Sequence, residues 1–369
     1  MICQNTYATI NLQNLISNCN YVKQTVGDKK ILAIVKADAY GHGAVACANA
    51  LEANGVDYFA VASLDEAREL RDAGIRSQIL ILGYLPEKRL AESIPYDVTY
   101  AVYSREFAME LNRVAKEAGT VRNIHIKLNT GMNRLGFRPT EHLIDTLAEI
   151  ASLKSLSMEG IFSHYATADE ADLTYTAAQN QIFCDVVTSL KKRNINPPLI
   201  HIGNSAGILT YPCDITTAVR PGIILYGINP SEYVEETKQP PLKPVMNFYS
   251  KIANIAELRE GETVSYGRKF HANAPRKIAV VCAGYADGYF RGLSGKAEVL
   301  VRGQRAPIIG NICMDMFMID ISDLKNVEID DEVTLFGEDL PVTELADILG
   351  TIPYELTCSV SKRVRRIYI

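Results

Sequence analysis

Over roughly the first 225 residues, short runs of β-branched and other apolar residues alternate with longer segments of helical periodicity. Eight runs read as strands, near 31–36, 58–62, 78–82, 98–102, 123–128, 157–163, 199–202 and 219–225. The segments between them, such as 64–73 (LDEARELRDA), 105–118 and 175–193, are closed by Gly, Asn or Pro, as helix ends require. Strands joined by helical crossovers run parallel. Eight such units over this length predict a (β/α)8 TIM-type barrel. The rival, a doubly wound open sheet, would place a G-x-G-x-x-G after its first strand, and none is there.

After Gly227 the pattern changes. The stretch SEYVEETKQPPLKP is polar and proline-rich and reads as a linker. Beyond it, alternating patterns at 276–282, 297–302, 317–321 and 332–336 read as strands, with turns at Gly261 and at Arg302-Gly303. Helical signal there is confined to 343–349. The expected organisation is a barrel over 1–228, a linker over 229–244 and a mainly β domain over 245–369. The alternating segment 6–11 precedes the first barrel helix and is a candidate for the C-terminal sheet rather than the barrel. A length of 369 residues suits two domains.

Composition narrows the partners. The net charge is −5, with no basic run beyond the short stretch 362–366, so there is no footprint for nucleic acid and a small molecule is favoured. The N-terminus lacks a basic region followed by an apolar run, and nothing approaches the roughly twenty apolar residues of a membrane span, so a cytoplasmic protein is expected. Eight cysteines (3, 19, 47, 184, 213, 282, 313 and 358) are scattered without a Cys-x-x-Cys pair, which suggests neither a metal site nor a disulfide framework.

In such a barrel, chemistry collects at the C-terminal ends of the strands. The first strand ends in Lys36, after the apolar run ILAIV, where a buried ammonium needs a reason. Later strand ends supply Lys127 with Arg134, then His164, then His201 with Asn204 and Ser205, then Arg220 with Gly222. So many cationic and imidazole groups on one rim call for an anion or a cofactor. The loops around Ser205 and around Gly222-Ile223 follow strands seven and eight, where barrels of this type bind phosphate. A lysine able to form an imine, together with a phosphate cradle, suggests pyridoxal 5'-phosphate.

The segment AIVKADAYGHG (33–43) resembles the cofactor-lysine motif of the alanine racemase family. The likeness continues at LNTGMNRLGF, FSHYATAD, GNSAG, RPGIILYG, VSYG, GYADG, GNICMD and IPYE, along nearly the whole chain. The resemblance implies a barrel plus β-domain fold, a homodimer with shared active sites, and interconversion of L- and D-alanine for cell-wall peptidoglycan. It implies that Lys36 holds the cofactor as a Schiff base and acts on the D-enantiomer. Tyr266, from the partner subunit, would act on the L-enantiomer. Tyr40, Ser205, Gly222, Ile223 and Tyr354 match the phosphate contacts, and Arg220 matches the partner of the pyridine nitrogen. Arg134 matches the contact to the cofactor's phenolic oxygen and to the substrate carboxylate, and Met314 offers its amide to that carboxylate. Lys127 matches a position carbamylated in some members. Tyr285 and Tyr354 would wall a narrow entrance, and Cys313 would lie near the partner's site. Asp315 is either a turn residue or a supporting acceptor. His164, set beside the cofactor, and His201 would link Arg220 to Tyr266 by hydrogen bonds.

Racemisation takes a proton from one face of Cα and returns one to the other, so two opposed groups serve better than one that changes sides. Lysine and tyrosine are reluctant bases in neutral water, so the site must tune them. Two other readings lack their signatures. A cofactor-binding protein without turnover has no second domain, and a decarboxylase of this architecture shows a late glycine-rich motif and an acidic-plus-cysteine site. A serine or broad-specificity small amino-acid racemase of the same fold stays open, because one hydroxyl is easily accommodated.

Overall fold

The computed structural model describes residues 5–369 and divides them into two compact units. One unit holds Leu15–Ala39 and Ala44–Leu242; the other holds the described residues through Asn14, Tyr40–Gly43 and Lys243–Ile369.

The first unit is a parallel barrel. Its strands are β2 (Lys30–Ile34), β3 (Tyr58–Val61), β4 (Gln78–Ile81), β5 (Thr99–Val102), β6 (Arg122–Lys127), β7 (Leu156–Phe162), β8 (Leu199–His201) and β9 (Ala218–Val219); β1 (Tyr7–Ile10) lies in the other unit. They are hydrogen-bonded in the order β8-β7-β6-β5-β4-β3-β2-β9. The Thr217 N–H donates to the Ile200 carbonyl (2.9 Å) and the Arg220 N–H to the Gly203 carbonyl (3.0 Å), which closes the ring. Strands covered by helices bury both faces, so β3 and β5 are apolar throughout or nearly so.

Helix starts follow from caps. Ser63 accepts the Glu66 N–H and Ser104 accepts the Phe107 N–H, opening Leu64–Asp72 and Arg105–Glu117. Each such cap is worth about 1 kcal/mol. The second of these helices buries Phe107, Ala108, Leu111, Val114 and Ala115, the i, i+1, i+4, i+7, i+8 stripe of a one-faced helix.

Two readings in this unit need correction. The expected eighth strand, 219–225, is only Ala218–Val219, and Ile223–Tyr226 is a buried 3₁₀ turn. Pro221 brings no N–H to a ladder, and a short apolar run alone does not separate a strand from a buried helical turn. The stretch taken as a linker, 229–244, carries a helix, Glu232–Lys238. Ser231 caps it by accepting the Val234 N–H, with Glu232 and Glu235 in its first turn and Lys238 in its last, as the helix dipole favours.

The second unit is mainly β. It adds β10 (Met246–Leu258), β11 (Thr263–Val264), β12 (Phe270–His271), β13 (Arg276–Val281), β14 (Glu298–Val301), β15 (Gln304–Ile309), β16 (Phe317–Asp320), β17 (Glu332–Phe336) and β18 (Arg365–Tyr368). The main sheet runs β13-β16-β15-β14-β17-β10-β1-β18. Because β10 is 13 residues long, its first half pairs with β1 and β17 and its second half with β13, which brings the sheet round on itself. β1 therefore sits between β10 (Tyr7 opposite Tyr249) and β18 (Tyr7 opposite Arg365). Helix in this unit is not confined to 343–349, since Pro353–Ser359 forms a second one with Pro353 in its first turn, where a missing N–H costs nothing.

Among the described residues no helix is long and apolar enough to cross a membrane, and no group of His, Cys, Asp or Glu could hold a metal ion. None of the seven described cysteines is in a disulfide; Cys3 lies outside the described residues.

Candidate active site

Lys36 opens a left-handed turn. Ala37, Asp38, Ala39 and Tyr40 have φ between 52° and 54°, although none is glycine. Each L-residue in this region costs roughly 1–2 kcal/mol, so the surroundings must compel it. The Glu66 carboxylate accepts the Ala37 N–H (2.7 Å) and the Ala62 N–H (2.6 Å). The Ala39 N–H donates to Val35, and Asp38 Oδ1 accepts the Ala44 N–H (2.7 Å). Beyond the turn, Gly41 has φ +85° and a Cβ there would lie 2.0 Å from the Thr357 carbonyl oxygen. The turn thus fixes Lys36 at the strand end and delivers Tyr40 to the second unit, where its ring lies 5.9 Å from that of Tyr354. Burial, then Tyr354 and Cys358, push the Tyr40 phenol well above its ordinary range, so it stays a neutral hydroxyl.

Inside the barrel, Arg220 is the centre of a buried cluster. Nη1 reaches His201 Nδ1 (2.7 Å) and the His201 carbonyl (3.2 Å). Nη2 reaches the Ser163 carbonyl (2.7 Å), His164 Nδ1 (3.0 Å) and the Ile202 carbonyl (3.1 Å). No carboxylate is among these partners, and Nε bonds to none of them. Burial and the charge of Arg134 lower Arg220 to about 9, still protonated at neutral pH. Lys127 Nζ donates to the Leu128 carbonyl (2.9 Å), and burial with the charges of Arg220 and Arg134 lowers it to about 7. Burial, then Arg220, Lys127, Arg134 and Lys36, hold His164 well below its ordinary value. Arg134 itself is exposed on the loop after β6, which Asn129 folds by accepting the Gly131 and Asn133 N–H groups.

His201 is bonded through both ring nitrogens within the barrel. Its second nitrogen, Nε2, meets His125 Nδ1 at 2.8 Å, so the chain from Arg220 continues into the barrel. His125 was missed, as was Phe162, whose ring stacks on His201 (4.9 Å, 8°) and lies 5.2 Å from both Arg220 and Lys127 Nζ. The signal for His125 was present: it stands two residues before Lys127 on one strand, hence on the same inward face.

The segments after β8 and β9 bring Ser205 and Gly222 together. Ser205 Oγ accepts the Gly222 N–H (2.9 Å), which leaves the hydroxyl proton to point elsewhere, and Asn204 fixes the turn by accepting the Gly207 N–H. Ile223 follows, buried.

In the second unit, Tyr266 is 73 % exposed, but its backbone is held: Asn311 Nδ2 donates to its carbonyl and Ser265 Oγ to the Asn311 carbonyl. Cys313 Sγ lies 3.5 Å from Ser265 Oγ. Tyr285 and Met314, both exposed, belong to strips zipped together by Tyr285 N–H to Cys313 O and Ala286 N–H to Met314 O. Gly284 permits this approach, since a Cβ there would lie 2.2 Å from the Met314 carbonyl oxygen. Asp315 is an acceptor: Arg363 donates to it (2.8 Å) while also gripping buried Asp287.

Within the barrel unit, a lysine at a strand end, a hydroxyl and an amide brought together, and a carboxylate-free guanidinium are donors that fit a phosphorylated aldehyde with a basic ring nitrogen. Residues 10–230 match the model of the alanine racemase N-terminal domain and residues 245–368 that of the C-terminal domain. Alanine racemase 2 of Caldanaerobacter subterraneus subsp. tengcongensis is 43 % identical over 99 % of this chain and 95 % of its own length. Alanine racemase 1 of Clostridium acetobutylicum is 44 % identical over 98 % and 95 %. Among solved structures, the alanine racemase of Clostridium difficile 630 superposes with a TM-score of 0.96 at 40 % identity, covering 100 % of this chain and 97 % of that one. The alanine racemase of Bacillus anthracis with bound L-Ala-P gives 0.93 at 34 % identity, covering 100 % and 96 %. Matched along both domains in sequence and fold, the chain belongs to the alanine racemase family.

Proposed function

We propose that this chain is a pyridoxal-phosphate-dependent alanine racemase, working in the cytoplasm as a homodimer and supplying D-alanine for peptidoglycan. What carries the reading is Lys36, set at a barrel strand end by a compelled left-handed turn, in a chain whose barrel also holds the Ser205–Gly222 cradle and buried Arg220. Lys36 would bind the cofactor covalently. Ser205, Gly222, Ile223, Tyr40 and Tyr354 would hold its phosphate, with His164 beside it and Arg134 at its phenolic oxygen. When bound, the cofactor supplies a conjugated ring that spreads the negative charge left when Cα loses its proton.

The chain's own groups do the rest. Lys36 takes the Cα proton of D-alanine and Tyr266 of the partner subunit returns one to the opposite face; for L-alanine the roles reverse. Arg134 and the Met314 amide orient the substrate carboxylate, and Tyr285 and Tyr354 limit side-chain size. Arg220 would face the ring nitrogen as a donor that does not give up its proton, which would keep that nitrogen unprotonated and restrain charge delocalisation. The exposed Tyr266, Tyr285 and Met314 support a partner surface, because large apolar groups seldom stand open together. Lys127, lowered to about 7, is partly a free amine at neutral pH and so can take up carbon dioxide as a carbamate, releasing a proton.

Borohydride reduction of the holoenzyme should fix the cofactor on Lys36, and single L-amino acids followed by optical rotation should respond with alanine. An adduct mapped to another lysine ends the site assignment. A stronger response with serine replaces the substrate by serine.

A further inference from the structure

Beyond Arg220, the barrel interior holds a polar chain that the proposed reaction does not use. It begins at Arg220 Nη1, which donates to His201 Nδ1. A guanidinium only donates, so His201 carries its proton on Nε2. That N–H points at His125 Nδ1 (2.8 Å), which must accept, so His125 in turn carries its proton on Nε2. His125 Nε2 lies 3.2 Å from Glu159 Oε2, and the same oxygen accepts from the Tyr58 hydroxyl (2.7 Å). Thr99 Oγ1 sits 3.0 Å from that hydroxyl. Each assignment forces the next, so one guanidinium, two neutral imidazoles and one carboxylate are strung with every proton directed toward Glu159.

The local energetics agree. Burial, then the Arg220 charge, hold His201 well below its ordinary value. Burial likewise lowers His125. Burial alone would raise Glu159, but the bonds from His125 and Tyr58 outweigh it and keep the carboxyl below its ordinary value.

The backbone is built for this chain. The β6–β7 register runs Ile124 opposite Met158 and then His125 opposite Gly160, so Glu159 is the extra residue of a β-bulge. A bulge re-aims a side chain, and here it brings the carboxylate to His125. Gly160 makes room for the imidazole: a Cβ there would lie 2.5 Å from the His125 ring.

We propose that Glu159 is a positioning residue, the remote counter-charge of Arg220, which acts through His125 and His201 to orient the guanidinium and set the strength of the hydrogen bond it offers. The consequence for the cofactor ring rests on the function proposed above; the chain of bonds does not.

The test uses holoenzyme labelled with ¹⁵N-histidine. The wild type should show two far-downfield ring N–H protons, both on Nε2, unchanged from about pH 6 to about pH 9. Glu159→Gln should move both upfield, including that of His201, which does not touch Glu159. It should also lower kcat roughly tenfold with KM changed less than about twofold, and Glu159→Asp should recover most of the loss. Tyr58→Phe, which leaves the carboxylate to His125 alone, should move both protons further downfield and serves if Glu159→Gln fails to fold. A His201 proton unmoved by either variant, or equal loss of kcat in Glu159→Gln and Glu159→Asp, overturns the proposal. A wild type that racemises no amino acid overturns the proposed function instead, while the proton resonances still decide the chain of bonds.

Discussion

Lys127 faces the barrel interior two positions beyond His125, its ammonium against a carbonyl and the Phe162 ring, with two guanidinium groups near enough to repel it. Its pKa falls from 10.5 to about 7 on folding. Between those values the unfolded chain holds a proton that the native chain does not, so stability rises with pH across the window. Below about 7 both states are protonated and the native state bears the full cost of the buried charge. Lys127→Met removes that cost. In carbonate-free buffer its urea midpoint should exceed that of the wild type most at acid pH, and the two should converge as pH approaches 10.5. A constant gap would mean that Lys127 keeps its proton inside the barrel. Added bicarbonate labelled with ¹³C reads the carbamate directly, since only the neutral amine forms it.

The turn after β2 depends on one carboxylate. Glu66 is the acceptor for both Ala37 and Ala62, and a hydrogen bond to a charged group is worth about 1.5–3 kcal/mol. Glu66→Ala should therefore cost roughly 2–4 kcal/mol by denaturation and weaken cofactor retention, because the left-handed backbone that follows Lys36 relaxes. Unchanged retention would mean that the turn holds without its clip. None of this was legible in KADAY, where left-handed residues normally announce themselves as glycine and only Gly41 and Gly43 do. The strands were legible wherever β-branched runs were bounded by helices, and Lys36 stood out as a charge ending an apolar run. IILY after Pro221 was misread because continuous apolarity carries no period. The bulge at Glu159 left no trace, since an inserted residue is visible only against its partner strand. Ser231 was a legible cap, outweighed by the prolines that follow it.

For the whole molecule, the proposed dimer places Lys36 of one subunit with Tyr266 of the other. Two inactive variants, Lys36→Ala and Tyr266→Ala, should then complement when their subunits exchange. About half of the randomly paired dimers are mixed, and each has one intact site of two, so about a quarter of wild-type activity should return. No recovery after verified exchange would show that each site is built within one chain. The pairing of β1 has a consequence of a different kind. This strand is made well before either of its two neighbours, β10 and β18. At about 5–20 residues per second, translation must run for on the order of twenty seconds to a minute before the second neighbour exists. Through that interval the barrel can close around its own strands while β1, made ahead of it, waits with open edges, so an early-made strand is among the last to be paired.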